Sequence, residues 1–214
     1  MPSLGRERTP VLERATRERL VVLTQAASPP AWVMAWCERG GRPLTTRNLT
    51  VHCSHGAPSG LLRAITDLGG RHVLLTRAAE AARPGRVVVA LGGLPRDAAV
   101  LTEAAACAGA LEVPLDLVHG VPLAFAERSV GLDQALERGE WLLEAATRQV
   151  AAHAPDLRVT TRLVRARAHE LVTEVPDDEL LVLGMAHHPT RPEPHLAGMS
   201  AIHFAPGPIL FVPT

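Results

Sequence analysis

The chain has no lysine and no tyrosine, so all 22 of its basic residues are arginine, set against 22 acidic ones. Without lysine there is no Schiff-base chemistry, no lysine general base and no GxxxxGK[ST] phosphate loop. Aromatic residues make up 3% of the chain, which leaves little for stacking nucleic-acid bases. A formal net charge of +0 provides no overall field to draw in nucleic acid or an anionic membrane. The three cysteines, Cys37, Cys53 and Cys107, are odd in number and form no CxxC pair, so buried free thiols in a reducing compartment are expected. No apolar run approaches the ~18–20 residues of a membrane helix. The apolar stretch at residues 20–23 is too short for a signal-peptide core. A cytoplasmic location follows as the expectation. There is no GxSxG elbow, and the few serines fall in loops or turns, so the chain is expected not to be an enzyme.

What is present suits a globular α/β protein: 47% of residues are hydrophobic and 21% charged. From residue 86 onward, strand and helix patterns alternate. Strands are predicted at 86–91, 114–120, 157–164, 179–184 and 208–212. Helices are predicted at 96–110, 132–153, 168–175 and near 200–205. Gly139 is a weak spot in the long helix. Such an order builds a doubly wound, five-stranded parallel sheet with flanking helices. Ligands of these sheets bind beyond the carboxyl ends of the strands, where strand order reverses. Two such ends fall at residues 91–93 and at Gly184.

The first part of the chain reads as a smaller, shortened echo. "RLVVLTQAASPP" parallels "RVVVALGGLP", "LTVHCSHGAP" (49–58) parallels "PLDLVHGVP", and "HVLLTRA" parallels "LLVLGMA". Counterparts of the long helix, one strand and the last strand are missing. The expected division is 1–82 for the degenerate α/β repeat and 83–214 for the full domain, joined through "AARPG".

The stretch "LLVLGMAHHPTRPEPHLAGMS" (180–200) begins as an anion-binding device would, with an apolar strand running into Gly184. Gly198 and Ser200 then stand where a helix begins, with backbone N–H groups to offer. The loop between also carries Pro189, Pro192 and Pro194, which have no N–H.

Together with "LVHGV", the "VTTRLV" strand after the long helix, and the closing "APGPILFVP", this stretch makes residues 83–214 resemble the universal stress protein family. The resemblance implies the adenine nucleotide alpha hydrolase-like fold. One branch of that family binds ATP through an Asp at the end of strand one and a Gly-x2-Gly-x9-Gly-[Ser/Thr] loop after strand four. Here Gly92 stands at the Asp position and Gly184 at the first glycine. His187 replaces the second glycine, and Gly198 and Ser200 are each displaced by one residue. Losing a charged hydrogen bond costs roughly 1.5–3 kcal/mol. Several such losses remove about three to five decades of affinity at ~1.4 kcal/mol each. These five residues are therefore a vestigial nucleotide site, and no cofactor is expected. An ATP-binding switch or weak ATPase, with His187 or Arg191 neutralising phosphate, is the alternative. In the N-terminal echo, Gln25 takes the Asp position.

Four of the ten histidines, His187, His188, His195 and His203, cluster near this loop. A metal-responsive role is the second alternative, weighed against solvated loop histidines. Trp32 and Trp36 at i, i+4 fit a packed helix better than an interface, and Arg162, Arg165 and Arg167 fit a solvated surface. The last strand, with Ile209, Leu210, Phe211 and Val212, is apolar and expected at a sheet edge. It should be covered in a homodimer or by the chain's own N-terminal part. The reading that results is a regulatory or protective protein acting by protein association, with no nucleic-acid or membrane partner.

Overall fold

The computed structural model describes residues 19–24, 26–48, 61, 65, 68, 70–76, 82–121, 131–185 and 196–214. Its elements run β1 (Leu20–Thr24), α1 (Ala31–Gly40), β2 (Leu44–Asn48), β3 (His72–Thr76), β4 (Arg86–Leu91), α2 (Ala98–Leu111) and β5 (Leu115–Gly120). They continue with α3 (Leu132–His153), β6 (Val159–Val164), α4 (Ala168–Leu171), β7 (Glu179–Met185), α5 (Leu196–Phe204) and β8 (Ile209–Pro213).

The eight strands form one sheet in the order β2-β1-β3-β8-β7-β4-β5-β6. The five from β8 to β6 are mutually parallel, as are β2, β1 and β3. The two blocks meet antiparallel, with Val73 opposite Phe211, Leu74 opposite Leu210 and Leu75 opposite Ile209. The expected five-stranded sheet is thus extended to eight strands. The last strand is not at an edge, because β3 lies on one side of it and β7 on the other. The paired residues, Val73, Leu74 and Leu75 of β3 and Ile209, Leu210 and Phe211 of β8, are all apolar and buried, so each strand supplies the other with backbone partners and a dry neighbour.

Alternate residues of the strands enter two cores. Leu74, Val89, Leu117, Val182 and Leu210 pack under α1, α2 and α3. Leu75, Val88, Val118, Leu183 and Phe211 pack on the opposite side with Leu171 of α4 and Ile202 of α5. Burial on both faces is why these strands read as unbroken apolar runs. β6 is an edge, and its Thr160 and Arg162 are exposed. They donate to the buried Asp116 carboxylate at 3.0 and 2.6 Å, which satisfies the one charge inside β5. Among the described residues, β2 forms the other edge.

Local differences from the sequence expectations have plain causes. β2 ends at Asn48, ahead of the stretch matched to a strand in the echo (49–58), which lies outside the described residues. Its "LTTRN" carries too little apolar alternation to announce an edge strand. Gly139 is required rather than weak: a Cβ there would come within 2.5 Å of Leu163 Cδ1 and 2.9 Å of His119 Cδ2, so its absence lets α3 lie close to the sheet. The alanines of α2 serve the same end. That helix is buried on most of its circumference, between the sheet and the neighbouring helices. Trp32 and Trp36 are buried and stacked, with ring centroids 6.3 Å apart.

A buried polar cluster links the two parts of the chain. Arg42, just after α1, pairs with Glu103 of α2, and both side chains are only 2% exposed. His72 Nε2, at the head of β3, lies 3.5 Å from Glu103 Oε2, and the Cys107 thiol donates to Glu103 Oε1 at 3.7 Å. The Arg42 guanidinium sits 5.4 Å from the centre of the Trp36 ring. Burial, then the Arg42 charge, holds the His72 imidazole down at about 4, so it is neutral. Burial raises the Cys37 thiol to about 11 and holds the Cys107 thiol well above its ordinary range. Both thiols are free, buried and kept from forming thiolate. Cys53 lies outside the described residues.

Candidate functional site

Strand order runs β4, β5, β6 in one direction and β7, β8 in the other, so the reversal falls between β4 and β7. Beyond their carboxyl ends lies a cleft of about 730 Å³. Its floor is built by Leu91, Gly92, Gly93 and Asp97 at the end of β4 and the start of α2, and by Gly184 of β7. His119 and Gly120 of β5, Arg138 of α3, Arg167 beside α4 and Gly198 of α5 are among the other lining residues. A cleft here follows from topology, because neighbouring loops diverge to opposite faces at the reversal.

Three residues expected at the vestigial site, Gly92, Gly184 and Gly198, are brought together in this cleft. Ser200 is not among its lining residues. It is buried in α5, which begins at Leu196, four residues earlier than the sequence suggests. Gly198 therefore lies inside the helix, a placement that costs about 1 kcal/mol relative to alanine. His187 lies outside the described residues, as do Gln25, the three loop prolines, Arg191, His188 and His195. His203 is exposed and stacks on Phe204, with ring centroids 5.4 Å apart. Among the described residues no group of three or more His, Cys, Asp or Glu side chains is placed to hold a metal.

The decisive residue of the cleft is one that the motif comparison passes over. Asp97 occupies the N-cap position of α2, where a carboxylate ordinarily bonds the first free N–H groups of the helix. It makes no such bond. The side chain turns back instead, and its Oδ2 accepts from the N–H groups of Gly92 at 2.6 Å and Gly93 at 2.9 Å. Asp97 is 8% exposed. Its Oδ1 faces Gly184, where a Cβ would lie 3.6 Å away. His119 Nδ1 lies 2.8 Å from the Leu91 carbonyl oxygen, which can only accept, so Nδ1 carries a proton, and in the neutral ring Nε2 is the acceptor. In the sequence, the signal for Asp97 was an acidic residue opening a helix five positions after Gly92. That spacing reads first as an ordinary cap.

Among the described residues, the cleft is lined by both acceptor and guanidinium groups. Acceptors lie at the floor. Arg138 and Arg167 stand at the exposed rim, and neither forms an ion pair among the described residues.

No protein-family model and no curated protein matches the chain. Solved structures similar to it include a functionally unknown protein from Pseudomonas aeruginosa, at 10% identity and TM-score 0.54, covering 96% of this chain and 95% of that one. The cytoplasmic domain of a prokaryotic cation chloride cotransporter is similar at 12% identity and TM-score 0.51, over 91% of this chain and 95% of that one. They also include universal stress proteins, among them UspA from Lactobacillus plantarum, at 21% identity and TM-score 0.48, over 61% of this chain and 99% of that one. The likeness is one of fold: a mixed α/β protein with a largely parallel sheet and flanking helices. Among the described residues no helix is long and apolar enough to cross a membrane.

Proposed function

We propose that this chain is a universal stress protein-like regulatory or protective protein, non-enzymatic, which acts by associating with other proteins and no longer holds nucleotide in its cleft. The observation that carries this reading is the pair of hydrogen bonds from Gly92 and Gly93 to Asp97. In an anion-binding strand end those two N–H groups would be offered to phosphate. Here the chain's own carboxylate takes them. A phosphate brought to ~4 Å from that carboxylate would meet about 4 kcal/mol of repulsion at an effective dielectric of ~20. That alone is roughly three decades of affinity. The buried Ser200 hydroxyl adds nothing to the cleft.

In the same reading, residues 1–82 are the degenerate repeat and residues 83–214 the full domain. β3 stands where the matching strand of a second subunit would pair with Ile209, Leu210, Phe211 and Val212. The chain is thus an intramolecular pseudo-dimer, and association with partners uses other surfaces. Calorimetric titration with MgATP tests the proposal. Silence at millimolar nucleotide is expected, whereas micromolar binding, or nucleotide carried through purification, would overturn it in favour of an ATP-binding switch.

A further inference from the structure

The charge arrangement of the cleft points to a different ligand. Its floor offers Asp97 Oδ1, which accepts no hydrogen bond among the described residues, and His119 also lines the cleft, with Nε2 the acceptor of its neutral ring because Nδ1 faces the Leu91 carbonyl. Gly184 leaves Oδ1 uncovered, since any side chain there would stand over it. The rim offers the exposed Arg138 and Arg167, and Arg96 also lines the cleft. An acceptor floor repels phosphate and attracts an ammonium group. A guanidinium rim binds a carboxylate, in two-pronged fashion where geometry allows.

We propose that the cleft binds a small zwitterion of the amino-acid class, its ammonium on Asp97 Oδ1 and His119 Nε2 and its carboxylate on Arg138 and Arg167. A cleft of about 730 Å³ accommodates any amino-acid side chain, which packs against Leu91, Val121 and Leu171. The inference rests on the reading that phosphate does not occupy the floor.

The test uses the full chain and each free proteinogenic amino acid at millimolar concentration, first by thermal shift and then by calorimetry. At least one amino acid is expected to bind, and its N-acetyl and carboxamide derivatives, which delete one charge each, are expected not to. Asp97→Asn keeps a carbonyl acceptor for the two amides but presents a donor to the cleft. Arg138→Gln alters only an exposed position on α3. Each should weaken binding roughly tenfold or more, the cost of one charge-assisted hydrogen bond. Absence of binding by every amino acid would overturn the inference, as would binding that neither variant weakens. If Asp97→Asn fails to fold, Arg138→Gln decides alone. A silent MgATP titration alongside would show that only the ligand inference had failed, whereas tight MgATP binding would show that the reading beneath it had.

Discussion

Replacing Glu103 by glutamine removes the negative charge from the buried cluster and leaves Arg42 facing a neutral amide. Both side chains are only 2% exposed, so solvent cannot compensate. Breaking a buried ion pair by neutralising one partner costs about 3–5 kcal/mol. For a chain of this length each kcal/mol lowers Tm by roughly 2–4 °C, so a drop of about 10 °C is expected. The double variant Arg42→Met, Glu103→Leu replaces the pair with apolar side chains and should recover most of that loss, since no uncompensated charge remains. Urea unfolding followed by circular dichroism measures both. The pair connects the segment after α1 to α2, so Glu103→Gln should also broaden or split the transition as the N-terminal strands loosen first. A cost below about 1 kcal/mol for Glu103→Gln would refute the reasoning, because surface pairs give values of that size. A double variant no more stable than the single would refute it too.

Other outcomes follow from the same structure. The His72 imidazole is lowered from 6.5 to about 4 by burial and by Arg42, with Glu103 on its other side already paired to Arg42. The unfolded chain therefore takes up a proton that the folded chain refuses, and stability present above pH 6.5 is lost as pH falls toward 4. The full shift corresponds to roughly 3 kcal/mol, and His72→Gln should flatten that part of a stability–pH profile. Gly139→Ala, a substitution that would stabilise an open helix by about 1 kcal/mol, should instead cost roughly 1–3 kcal/mol by chemical denaturation, because α3 must move off Leu163 and His119. Phe211→Ala should cost about 3–5 kcal/mol with no change of mass in light scattering, since β8 is paired within the chain. A change from dimer to monomer would show that β8 also serves a second copy.

The readability of the chain varied with how completely each element is buried. The strands β4, β5, β7 and β8 are buried on both faces and, Asp116 apart, apolar through their centres, and α3 carries a regular stripe, so their positions were plain within a residue or two. β2 is a polar edge strand whose stability comes from β1 beside it, and no local pattern marks it. The pairing of β8 with β3 was legible only as one of two possibilities, because an apolar strand announces that it must be covered without saying by what. At the cleft, glycine spacing located the strand ends but left out Asp97. Its chemistry depends on a side chain turning backward from a helix start to a strand end, a choice made by the loop between them. Arg167 read as solvated surface for the same reason: only the fold brings it to the rim of a cleft.

The most direct single measurement is a MgATP titration run in parallel on the wild-type chain and on Asp97→Gly, which frees the Gly92 and Gly93 N–H groups. A silent wild type at millimolar nucleotide and a gain of roughly tenfold or more in the variant are expected, because repulsion worth several kcal/mol is removed. Micromolar binding by the wild type, weakened in Asp97→Gly, would contradict the central claim, for Asp97 would then be holding the nucleotide rather than taking its place.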